Sequence, residues 1–75
     1  MNIYRVTMHL KGRSDSRIFL KVVAWNAKAA ETIAKQHVIQ YYQNTPWVFM
    51  YAAKMKELKK SPKYQRILSE KVKLR

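Results

Sequence analysis

The sequence predicts an α+β protein of ββαβ order: an antiparallel hairpin plus a third strand, one helix packed on one face, and a short basic helix at the C-terminus. Three observations predict it. Residues 4–11 alternate apolar with polar side chains, and residues 17–24 repeat the two-residue period with an apolar residue at every even position. From Asn26 the apolar spacing lengthens to three and four. A run of seven apolar or aromatic residues then begins at Trp47 and passes directly into a lysine-rich stretch.

In the first strand Tyr4, Val6, Met8 and Leu10 are apolar, while Arg5, Thr7, His9 and Lys11 are polar, the period of a half-buried strand. Residues 12–16 (GRSDS) read as a turn, because Gly accepts positive φ and Ser and Asp satisfy local backbone groups. In the second strand Ile18, Leu20, Val22 and Ala24 share one side, and Arg17, Phe19, Lys21 and Val23 the other. The hairpin therefore buries its even-numbered residues. Asn26 is the expected N-cap of a helix of about four turns. Its stripe is Ala30, Ile33, Ala34, His37, Val38 and Tyr41, with Glu31 and Lys35 spaced for an ion pair on the wet face. Asn44 is the expected left-handed C-cap, and Pro46 prevents continuation.

Residues 47–55 admit two readings. Thr45-Pro46 can open a helix and residues 52–58 have high helix propensity, which would make the chain ββαα. The aromatic and β-branched residues from Trp47 to Tyr51 instead favour a strand, and a two-stranded hairpin alone is a marginal platform for a helix. The strand is the favoured reading. A right-handed crossover lays it parallel to the second strand and beside the first. Val48, Met50 and Ala52 would then be buried, leaving Trp47, Phe49, Tyr51 and Met55 on the outer face. Ser61-Pro62 suggests the start of the short basic helix, with Tyr64, Ile67, Leu68 and Val72 as its stripe. The expected organisation is one ββαβ domain over residues 1–58 and a basic segment over 59–75.

A single domain of 75 residues lies near the lower limit for a self-sufficient core. With no Cys, disulfides and thiolate metal sites are excluded, which fits a reducing cytoplasm. The N-terminus MNIYRVTMHLKG does not have the pattern of a signal peptide, and no apolar window approaches the length of a membrane span. A cytoplasmic protein with no membrane partner is expected. The four carboxylates (Asp15, Glu31, Glu57 and Glu70) are scattered, and there is no glycine-rich phosphate loop, nucleophile arrangement or metal spacing. No enzymatic activity, cofactor or metal is expected.

The charge is the strongest functional signal: 16 Lys and Arg against 4 acids, a net +12. Such a chain repels itself and favours an anionic partner. The candidate contact residues are Arg5, Lys11, Arg13, Arg17 and Lys21 on the hairpin, and Lys54, Lys56, Lys59, Lys60, Lys63 and Arg66 in the basic arm. Phe19, Trp47, Phe49 and Tyr51 are the candidate aromatics. Cations interleaved with rings on an open sheet suit single-stranded or structured RNA or DNA, with rings stacking on bases and Lys and Arg holding phosphates. Other uses of the same residues stay open. The C-terminal segment could cover the rings, the apolar patch could form a homodimer or other protein interface, the small core could belong to a self-assembling structural protein, and the basic arm could sit on an acidic surface of a host protein.

Three segments carry a likeness: Tyr4-Arg5-Val6-Thr7, the stretch AWNAKAAE from Ala24 to Glu31, and Trp47-Val48. In this order the chain resembles small bacteriophage-encoded proteins of ββαβ type, over roughly its first 55 residues. The resemblance implies action by binding, either redirecting or inhibiting host polymerases, nucleases and defence complexes, or coating nucleic acid. The basic stretch from Lys54 departs from acidic, DNA-mimicking inhibitors.

Overall fold

Strand β1 (Asn2–Leu10) turns through Lys11 and Gly12 into β2 (Arg13–Ala24), followed by α1 (Ala27–Tyr41), β3 (Trp47–Glu57) and β4 (Arg66–Lys73). The computed structural model describes residues 1–60 and 63–74. All four strands join one antiparallel sheet in the order β3-β1-β2-β4. The α+β class and the ββαβ order hold, and β3 lies beside β1 as expected. The expected five-residue turn is a two-residue turn followed by a bulge. Gly12 takes φ 81°, and the register then slips, so that Leu10 faces Arg13 while His9 faces Arg17. Residues 14–16 take up the excess length of β2.

The even-numbered side chains of the hairpin face α1. Val6, Ile18, Leu20, Val22 and Ala24 are fully buried, Met8 is nearly so, and all belong to one cluster with Ala30, Ala34 and Val38 of the helix. Burying each larger aliphatic side chain contributes about 1.5–3 kcal/mol. Alanines at four-residue spacing allow the helix to lie close to the strands, and α1 packs on all four of them. Asn26 caps the helix as expected: its Oδ1 accepts from the Ala29 amide at 2.8 Å. Glu31 accepts from Lys35 at 2.6 Å, which holds its carboxyl below the usual range. The helix ends earlier than Asn44. Tyr42 is the C-cap, its amide donating to the Val38 carbonyl at 2.9 Å, and among the described residues only glycine has positive φ. A left-handed Asn44 is therefore not used.

The C-terminal segment departs from expectation. Arg66–Lys73 forms a strand paired with β2, not a helix, and neither this segment nor β3 supports the ββαα alternative. The expected helix start at Ser61-Pro62 lies outside the described residues. The physical reason is the free edge of β2. Without β4, the backbone groups of a 12-residue strand would lack partners on that side, a larger loss than the weak apolar stripe of a short helix could offset. Arg66–Lys73 consequently belongs to the same sheet as the three strands of residues 1–58. The connection from β3 to β4 is tied down at both ends, by the Leu58 amide donating to the Met1 carbonyl at 3.1 Å and by Gln65 Oε1 accepting from the Trp25 amide at 3.1 Å.

A polar clasp joins β4 to the helix. The Tyr42 hydroxyl donates to Glu70 at 2.9 Å, and His37 Nε2 lies 3.3 Å from the same carboxylate oxygen. Bonding to Glu70 favours the protonated phenol, and partial burial adds to this, so the Tyr42 pKa is raised above its ordinary value of 10. The folded value exceeds the unfolded one, so the stabilisation is complete below pH 10 and is lost as pH rises through the folded value. Tyr42→Phe is expected to cost about 0.5–1.5 kcal/mol in urea unfolding at neutral pH. The difference between the two proteins should vanish at strongly alkaline pH; a difference that does not change with pH would contradict the role assigned to this bond.

Candidate functional site

The face of the sheet away from α1 is built from the odd-numbered residues of the hairpin and their partners in register. Four rows cross it. Val48, His9, Arg17 and Lys73 form one, and Tyr51, Thr7, Phe19 and Lys71 the next. Ala53, Arg5, Lys21 and Ser69 form the third, and Lys56, Ile3, Val23 and Arg66 the fourth. No described helix or strand covers this face.

Seven cations stand in these rows: Arg5, Arg17, Lys21, Lys56, Arg66, Lys71 and Lys73. No carboxylate does. Glu70 faces Leu20 and Glu57 faces Asn2, both on the helix side; Glu31 is on α1, and Asp15 lies in the hairpin bulge. Among the described residues, the ion pairs use Lys28, Lys35 and His37 and none of the seven. Two cation pairs are directly opposed, Arg5 with Lys21 and Arg17 with Lys73. Like charges at such positions are destabilising, so the free protein carries an electrostatic cost that an anion would relieve. A cavity of about 470 Å³ opens on this face between Arg5, Lys21, Lys71 and Lys73, with Phe19, Met55 and Ser69 also lining it.

Of the residues expected from sequence, the structure gathers Arg5, Arg17, Phe19, Lys21, Tyr51, Lys56 and Arg66 here. Trp47 and Phe49 are elsewhere. A β-bulge at Met50 shifts the register, so that Tyr51 pairs with Thr7 but Phe49 pairs with Met8 and Trp47 with Leu10. One extra residue reverses the parity of the strand. Trp47 and Phe49 therefore pack against the core on the helix side, and Val48 is exposed. Lys35 lies over the Phe49 ring at 5.5 Å, and Trp47 meets Tyr42 edge-on at 6.2 Å. These bulky rings supply volume beneath the edge of a helix whose buried face is mostly alanine. Tyr41, expected in the buried stripe, is 65% exposed, while Tyr42 packs inward.

The remaining candidates border the face. Lys54 pairs with Tyr4 on the helix side. Lys59, Lys60 and Lys63 belong to the β3–β4 connection and are exposed, so the basic arm is a belt at one end of the sheet, not a free tail. Lys11 and Arg13 flank Gly12 at the hairpin turn, where the Lys11 amide donates to the Pro46 carbonyl at 2.9 Å. Sequence reasoning missed Ser69, Lys71 and Lys73. Their signal was present: Lys71-Val72-Lys73 alternates, and Val72 faces Ile18.

No protein-family model, curated protein or solved structure matches the chain.

The opposed cations generate a test. Lys21→Glu places a carboxylate opposite Arg5 and is expected to raise unfolding stability by about 0.2–1 kcal/mol. The gain should shrink as salt is added. A loss of stability at low salt would show that the cations of this face do not oppose one another as described.

Proposed function

We propose that the protein is a non-enzymatic nucleic-acid-binding module that uses the open face of its sheet. One observation carries this reading: seven cations and two exposed or half-buried rings share a face without a carboxylate, and two of the cation pairs are directly opposed. A solubility surface gains nothing from opposing like charges in register, whereas phosphates spaced along a strand neutralise them. Lys59, Lys60 and Lys63 extend the positive field past the end of the sheet. RNA and DNA both meet these requirements.

Affinity for a short oligonucleotide should be steeply salt dependent. If about five of the cations meet phosphates of a single strand, the log–log slope is near −3.5, a loss of roughly 100-fold between ~50 and ~200 mM salt. Changing Lys71 and Lys73 together to Gln should weaken all sequences alike and flatten the slope by about 0.7 per lost contact. Binding that is indifferent to salt, or absent at low salt, would contradict the proposal.

A second reading has its own observation on the other side of the molecule. Ile39 is 70% and Tyr41 65% exposed, beside a groove of about 420 Å³ lined by Val38, Tyr42, Pro46 and Trp47. An inhibitor or adaptor acting on a host protein, as the likeness to phage proteins implies, would use this side. Retention of a stoichiometric protein partner from nuclease-treated bacterial lysate, lost on Ile39→Asp, supports it; no retained partner leaves the first reading standing alone.

A further inference from the structure

We propose that Phe19 and Tyr51 clamp one unstacked base over a floor made by Thr7, so that the ligand of the open face is a single strand. This rests on the nucleic-acid reading above and specifies its ligand.

The argument starts from register. Tyr51, Thr7 and Phe19 stand side by side in one row, on β3, β1 and β2. Two interstrand spacings separate the ring-bearing backbones, about 9.6 Å. A planar base in contact with a ring on each side needs about 7 Å between those rings, at ~3.5 Å per contact. Rings rising from the sheet at this spacing, once parted, admit one flat base, and a second would not fit; in the free protein Thr7 has no exposed surface. The residue between them is small, so the gap has a floor and no wall across it.

Thr7 provides an independent observation. It is fully buried, although Val6 and Met8 on either side face the helix and its own side chain faces the opposite way. Its Oγ1 has no hydrogen-bond partner. A buried hydroxyl without a partner is costly and is rare in folded proteins. The edge of a base lowered between the two rings offers both donors and acceptors to that hydroxyl. Tyr51 is 43% exposed, and exposed side chains change rotamer within nanoseconds, so the gap above Thr7 can open readily. Beside Phe19, the cavity bounded by Arg5, Lys21 and Lys71 is placed to take the flanking sugar and phosphate.

A duplex keeps its bases stacked and presents phosphates, so it leaves the clamp empty. Single-strand and duplex binding are therefore separable. The full chain is titrated with a short oligothymidylate, with a strand of equal length lacking all its bases, and with a duplex. The base-bearing strand should bind roughly 5- to 150-fold more tightly than the abasic one. Phe19→Leu and Tyr51→Leu keep apolar volume and lose the ring; each should remove most of that difference, lowering affinity for the base-bearing strand far more than for the abasic strand or the duplex. Thr7→Val should keep affinity for the abasic strand and alter the preference among the four homopolymer strands. Equal binding of base-bearing and abasic strands by the unaltered protein overturns the clamp and leaves the nucleic-acid reading intact. An unchanged homopolymer preference in Thr7→Val removes Thr7 from the site. No binding to any of the probes overturns both proposals.

Discussion

The cluster joining Ala30 and Ala34 of α1 to Val6, Met8, Leu20 and Val22 of the central hairpin is the interaction on which the rest of the structure depends. A chain of 75 residues has apolar material for one core. Strand parity commits the even side chains of β1 and β2 to it, and the odd ones necessarily to the other face. Because Arg5, Arg17 and Lys21 are odd, the covalent pattern alone concentrates positive charge on the uncovered surface. β4 adds Lys71 and Lys73 to that surface and turns Glu70 away from it, towards His37 and Tyr42. The result is a face whose charges are of one sign, backed across the sheet by the cluster that packs on α1.

Three register shifts outside the hairpin refine this division. They fall at Met50, at Met55 and at Leu68, all on the two edge strands. The first sends Trp47 and Phe49 inward to fill the core margin and leaves Tyr51 on the open face. The second turns Met55 to the lining of the cationic cavity. Bulges and lysines on edge strands also oppose edge-to-edge pairing with other chains, an advantage for a small sheet with two free edges. The same irregularities thus select which ring stands on the open face and protect the sheet that carries it.

The central hairpin, the helix and its cap were legible in the sequence because each rests on short-range chemistry: strict alternation in residues 4–11, period-2 placement of Ile18, Leu20, Val22 and Ala24 in the second strand, Asn26 before an alanine-rich stripe, and Gly12 at the turn. β3 was legible as an element but not in its facing, since a single inserted residue at Met50 reverses parity without altering composition. β4 was obscured for a different reason. Its strand state is set by the vacant edge of β2, a tertiary demand, while Tyr64, Ile67, Leu68 and Val72 mimic a helical stripe locally. The candidate site inherits these limits. Arg5, Arg17, Phe19 and Lys21 follow from parity in a regular strand, Trp47 and Phe49 were misplaced by the bulge, and Lys71 and Lys73 were hidden by the helical reading.

The central claim is that the face opposite α1 is the binding surface, and that the helix side is structural. Backbone amide shift mapping during titration with a short single-stranded oligonucleotide tests it most directly. The account predicts that the largest changes fall on Arg5, Thr7, Phe19, Lys21, Tyr51, Ser69 and Lys71, with the exposed helix positions Gln36, Ile39 and Gln40 unmoved. Changes centred on Ile39, Tyr41 and the groove beside Trp47, with the open face silent, would contradict it.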